Sequence, residues 1–236
     1  MDARKTRWLL LYFLCVVFAS QASAQDTLWE TYMATAEMAY RQGDYGEAED
    51  SVKAALKEAE EFGPQDPRLA ATLNNLAFLY HVQGELAEAE SLYRRALAIK
   101  EKALGPEHPT VAGTLNNLAN LYHALGKHPE AESSYKRSLA IVAKVSGPEH
   151  PDMATTLNNL AFLYHTQGKY AEAEPLYKRS LAITEKVLGP DHPNAATSLE
   201  NYADLLRKTK RSAEAAKMEE RAKAIRAGET AENPRK

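Results

Sequence analysis

Cysteine is nearly absent: among 236 residues only Cys15 carries a thiol. It lies in an apolar run of twelve, Trp8 to Ala19, that follows Arg4, Lys5 and Arg7 and precedes Ala22-Ser23-Ala24. A basic start, a short apolar stretch and an A-x-A site are the layout of a cleaved secretory signal. Residues 1–24 are therefore read as a leader and 25–30 as a short linker. The bulky Tyr12, Phe13 and Leu14 ahead of Cys15 do not suit a lipoprotein site. The processed chain then holds no cysteine, which excludes disulfides, thiolate nucleophiles and Cys-based metal centres.

Other shortages narrow the function. The apolar run falls short of the ~20 residues that a membrane-spanning helix needs. No stable membrane insertion is expected after cleavage, and the protein is placed in a bacterial periplasm or outside the cell. Positive charge is not in excess. Without Asp2, Arg4, Lys5 and Arg7, 26 basic residues stand against 31 acidic ones, a net charge of −5. Nucleic acid is a poor partner for such a balance, because its affinity rests on phosphate neutralisation. There is no G-x-S-x-G elbow, glycine-rich phosphate loop or H-E-x-x-H pair, so no catalytic residue, cofactor or metal is expected.

What the chain does have is internal repetition. The segment from Leu69 to Pro109 returns twice almost unchanged, Asn74 recurring as Asn116 and Asn158, and Gly105 as Gly147 and Gly189, at steps of 42 residues. A strict period of this size signals stacked units, each completing the apolar face of its neighbour. Within a unit, Leu73, Leu76, Ala77 and Tyr80 mark one stripe of a helix. Gly84 permits a tight turn. Ala89, Leu92, Tyr93, Ala96, Leu97 and Ile99 form the inner face of a second helix. Gly105-Pro106 ends that helix, and Pro109 suits the first position of the next, as do Pro67, Pro151 and Pro193.

The pattern Ala77, Tyr80, Gly84, Ala89, Tyr93, Ala96 resembles the tetratricopeptide repeat (TPR). The 42-residue form, with its TLNNLAxLYxxQGKYxEAExLYKRxLAI core from Thr156 to Ile183 and its GPxHP linker, is similar to the repeats of kinesin light chains and their bacterial relatives. The resemblance implies an all-α fold, a right-handed superhelical solenoid of helix-turn-helix units. About five units, starting near 31, 67, 109, 151 and 193, fill residues 31–227. The first lacks the Asn pair and is one residue shorter. The last has Lys210 in place of the turn glycine, and Glu219 and Lys223 where Tyr177 and Leu181 stood, a polar end that no neighbour needs to cover. Residues 228–236 are read as a polar disordered tail.

Candidate site residues follow from helical spacing and the resemblance together. Asn74, Phe78 and His81 share one face at i, i+4 and i+7, offset from the core stripe. The ladder continues as Asn116, Asn120, His123, then Asn158, Phe162, His165, and closes with Glu200, Asp204 and Arg207. The resemblance implies that these positions line a concave groove that binds extended peptides. An asparagine amide both donates to and accepts from a peptide backbone. Three rungs with aromatic contacts suggest roughly micromolar affinity, about −8 kcal/mol. The adjacent Asn75, Asn117 and Asn159 lie about 100° round the helix and are expected to bond a neighbouring helix. His81, His123 and His165 recur one per unit, too far apart to converge on a metal. His108, His150 and His192 in the linkers are expected to cap or pack the turn. The chain is thus read as a non-catalytic adaptor or scaffold for a protein or peptide, with self-association left open. The alternative is a structural component of an envelope or secretion assembly, docking through helix edges and caps.

Overall fold

The computed structural model describes residues 25–232. The leader, Cys15 and residues 233–236 lie outside the described residues. The described chain is helical, with no strand. Its helices are α1 (25–42), α2 (Tyr45–Glu61), α3 (Pro67–Gln83), α4 (Leu86–Leu104), α5 (Pro109–Ala124), α6 (His128–Val145), α7 (Pro151–Thr166), α8 (Tyr170–Leu188), α9 (Pro193–Lys208) and α10 (Ser212–Glu232). They fall into two compact units, one up to Ala103 and one from Leu104.

In the first unit, α1 to α4 pack around small residues. Ala36, Ala39, Ala48 and Val52 meet Leu76 and Leu79, while Ala59, Leu69, Ala70 and Leu73 meet Ala96 and Ile99. Alanine lets two helix backbones approach, and leucine fills the remaining space, which gives the dense packing of a protein interior. Helix is already present at residue 25, so the stretch read as a linker is helical. Trp29 explains this: it packs against the α2–α3–α4 cluster and donates Nε1–H to Thr72 Oγ1 at 2.8 Å. Arg68 adds a second tie, pairing with Asp26 and Asp66 and lying 3.5 Å over the ring of Phe62.

In the second unit, α5–α6, α7–α8 and α9–α10 are hairpins, and each docks on the next. The last hairpin is built like the others on its inner side, where Ala215, Ala222 and Ile225 are buried. Its outer positions are polar. Helix α10 continues to Glu232, past the Ala227 boundary read from the sequence.

The turns between paired helices repeat one geometry. Gly84, Gly126 and Gly168 have φ of 86°, 71° and 75°, and Lys210 takes the same left-handed place at φ 63°. The N–H after each reaches back to a helix carbonyl, as in Lys169 N–H to Tyr164 O at 2.9 Å and Arg211 N–H to Leu206 O at 2.8 Å. These bonds satisfy carbonyls that a helix end otherwise leaves bare.

The helix starts repeat as well. His108, His150 and His192 sit at the N-caps of α5, α7 and α9, in extended backbone, each followed by proline. Nδ1 of each ring accepts from the amide two residues on, at 3.3, 3.2 and 3.1 Å. Asp66 does the same for α3, accepting from the Arg68 amide at 2.8 Å. The linker histidines are caps.

Candidate interaction face

The first helices of the second unit, α5, α7 and α9, adjoin one another and carry the asparagines. Asn159 Nδ2 donates to Asn116 Oδ1 at 3.2 Å, and Asn201 Nδ2 donates to Asn158 Oδ1 at 3.4 Å. The two asparagines of the Asn158–Asn159 pair therefore have different jobs. The second reaches across to the preceding first helix, as its 100° offset led us to expect. The first accepts a bond from the following first helix with its carbonyl. Asn116 and Asn158 are half-buried, as a wall residue of a groove would be.

Two clefts open beside these amides. One of about 90 Å³ is lined by Ala112, Asn116, Ser138, Val142 and Thr155. The other, of about 170 Å³, is lined by Ala154, Asn158, Ser180, Thr184 and Thr197, the same positions 42 residues on. Ser138 and Ser180 donate their hydroxyls to the carbonyls of Ala112 and Ala154, at 2.9 and 2.7 Å. The clefts thus recur with the repeat and mix small apolar with hydroxyl and amide groups, Asp152 adding a carboxylate to the first where the second has Asn194.

The lower rungs of the predicted ladder are more occupied. Asn120 Oδ1 accepts from the buried Tyr135 hydroxyl at 2.5 Å. Phe162 lies between histidines, its ring centroid 5.4 Å from His123 and 6.4 Å from His165. His123 also meets Thr166 Oγ1 at 3.1 Å. His165 is only 7% exposed, with Nε2 at 3.6 Å from Asp204 Oδ2 and its ring 5.5 Å from Tyr170. Arg207 pairs with Glu219 of α10 and with Asp204 at 4.0 Å. These side chains hold first helices to their neighbours.

In the first unit the corresponding residues are Asn74, Phe78 and His81 on α3. Asn74 Nδ2 donates to Asn75 Oδ1 at 3.4 Å. Phe78 meets Tyr40 of α1 edge-on, at 5.3 Å between centroids. Burial lowers the pKa of His81. It lowers His123 too, helped by His128, and it lowers His165, where Lys208 adds to the shift and Asp204 opposes it. Desolvation disfavours the imidazolium, so the three rings are neutral near pH 7. Among the described residues no three His, Asp or Glu side chains are grouped to hold a metal ion.

Sequence reasoning missed one set of residues. Glu132 and Glu174 accept from the hydroxyls of Tyr164 and Tyr202 on the next first helix, both at 2.9 Å. Lys136 and Lys178 sit one turn further on and pair with the same carboxylates, at 2.6 and 2.7 Å. Arg211 adds a second cation to Glu174 at 2.8 Å, and Lys178 and Arg211 together hold its carboxyl down at about 2. The signal available was the recurrence of both Glu and Tyr at the repeat period.

Comparison with known proteins places this geometry. The tetratricopeptide-repeat family model matches residues 30–102, 68–144, 110–186 and 152–227. Among solved structures, BtubC (BKLC) from P. vanneervenii is similar at TM-score 0.75 and 27% identity, covering 97% of this chain and 93% of its own. A putative kinesin light chain of Podosopora anserina with nearly identical TPR-like repeats gives TM-score 0.67 and 28% identity, covering 88% and 97%. PilF of Pseudomonas aeruginosa, at 18% identity, TM-score 0.63 and coverage of 86% and 78%, shares the fold. No curated protein matches the sequence. Repeats of this kind mediate protein–protein interaction and scaffolding. With overlapping matches from residue 30 to 227, the chain belongs to the tetratricopeptide-repeat family.

Proposed function

We propose that the protein is a non-catalytic adaptor of the cell envelope that binds an extended segment of a partner protein along its first-helix faces. The observation that carries this reading is the pair of clefts beside Asn116 and Asn158, at equivalent positions of successive repeats. Neighbouring first helices pack at about 8–10 Å. An extended chain rises about 3.3 Å per residue, so every third residue of a bound segment reaches an equivalent cleft. An amide beside each cleft suits the partner's backbone, which is the same at every third residue whatever the side chains. Each such bond nets about 0.5–1.5 kcal/mol, and a rigid helical frame keeps the ordering cost on the partner's side.

The envelope assignment rests on the leader-like residues 1–24. Its check is direct: protein recovered from an exporting bacterial host has an intact mass that begins at Gln25. A mass that retains the leader removes the envelope from the proposal.

Affinity capture from a periplasmic extract tests the binding face. The wild type is compared with an Asn116→Ala/Asn158→Ala variant whose helical circular dichroism is unchanged. A partner held by the wild type and lost by the variant supports the face. A partner held equally by both moves binding to helix edges or ends, the behaviour of an assembly component.

A further inference from the structure

We propose that the cleft between α1 and α3 in the first unit seats an apolar segment of a partner protein flanked by basic residues. This rests on the reading that first-helix faces bind extended segments, and it adds the partner's chemistry. The cleft is about 430 Å³, within the ~300–1,000 Å³ of typical ligand sites, and is larger than either cleft of the second unit. Its lining also differs in kind. Where Ser, Thr and Asn line the clefts beside Asn116 and Asn158, here the walls are Trp29, Met33, Tyr40, Val52, Phe78 and Leu79. Tyr40 is 36% exposed and stands edge-on to Phe78, so the aromatic wall faces solvent rather than closing on itself. Burying a Leu or Phe side chain in such a place yields about 1.5–3 kcal/mol.

Charge selects the flanks. The charged residues lining the cleft are Glu30 and Glu37, seven residues apart and so on one face of α1. Glu37 meets Arg41 at 2.5 Å, but both side chains are largely exposed, and such pairs contribute little. The surroundings have the same sign. Between residues 25 and 103, fifteen Asp and Glu stand against eight Lys and Arg, whereas from 104 onward sixteen stand against eighteen. A segment with Lys or Arg on either side of its apolar centre meets this field favourably, and an acidic one is turned away.

The test uses two fluorescein-labelled peptides with one Leu-Phe-Leu-Leu-Phe centre, flanked by lysine pairs or by glutamate pairs. Anisotropy is read with the purified protein. The lysine peptide is expected to bind at least about tenfold more tightly than the glutamate peptide, a difference of about 1.4 kcal/mol, and to weaken as salt is raised. Phe78→Ala should cost about tenfold in affinity. The exposed double change Glu30→Lys/Glu37→Lys, which leaves the core alone, should reverse the flank preference. Equal binding of both peptides, or preference for glutamate, lost in Phe78→Ala, keeps the groove reading and overturns the basic flank. Binding that survives Phe78→Ala lies elsewhere and overturns the proposal, as does binding of neither peptide. A dimer that Phe78→Ala dissociates makes a second copy the occupant and also overturns it. Failure of the wider groove reading is scored separately, by Asn116 and Asn158 in the other unit.

Discussion

Tyr93, Tyr135 and Tyr177 hold the same place in three successive repeats and are all buried, yet their hydroxyls fare differently. Tyr135 donates to Asn120, while the oxygens of Tyr93 and Tyr177 have no partner among the described residues. The cause is one residue on the preceding helix: Asn120 stands where Phe78 and Phe162 stand in the other repeats. A buried hydroxyl without a partner costs about 1–3 kcal/mol, and a made bond nets about 1 kcal/mol. Tyr135→Phe should therefore destabilise by about 1 kcal/mol and strand the Asn120 carbonyl. Tyr177→Phe should be neutral or stabilising, since it removes only the unmet group. Urea unfolding midpoints of the two variants check this, and equal losses would contradict it. The comparison also revises Asn120, which the ladder alone assigns to a ligand and the structure gives to Tyr135.

At the scale of the helix, the repeated device is the capped start. An imidazole Nδ1 serves α5, α7 and α9, and a carboxylate serves α3. The two are chemically equivalent as acceptors, so His150→Asp should fold as well as the wild type. His150→Ala should lose about 1 kcal/mol, the usual worth of an N-cap, seen as a lower thermal midpoint. Near the other end of the first helices lie His81, His123 and His165, all with pKa lowered chiefly by burial. Their folded pKa lies below the unfolded value of about 6.5. Below 6.5 the unfolded chain takes up protons that the folded one resists, so their contribution is complete above that pH and is lost as pH falls through the folded values. Asp204 and Lys208 face His165 with opposite signs, and His128 faces His123 with the same sign, so no neighbour reverses the direction. The lowered carboxyls, Glu49, Asp66, Glu132 and Glu174, withdraw their support only below about 4.5. Thermal midpoints should therefore fall between pH 7.5 and 5.5, through the histidines. A midpoint that holds or rises across that window contradicts the burial of these rings.

For the molecule as a whole, the helix pairs were legible in the sequence because each repeat states them again. Prolines 67, 109, 151 and 193 open helices, and glycines 84, 126 and 168 close them. The helical state of residues 25–30 was not legible, because the contact that ties them down is tertiary, Trp29 on Thr72. The candidate face was half legible. Helical spacing placed the asparagines on one side and separated their roles, but it could not show that His165, Asn120 and Arg207 are engaged by Asp204, Tyr135 and Glu219. Such contacts cross between helices, and a periodicity within one helix carries no record of them. The central claim is that the Asn116 and Asn158 amides are the working surface. The measurement that reaches it most directly is NMR of the asparagine side-chain amides, with the partner segment from capture titrated in. The account predicts that the Nδ2 resonances of Asn116 and Asn158 shift together and saturate at one affinity. If they stay in place while resonances on the outer faces of α6 and α8 move, the first-helix face is not the binding surface.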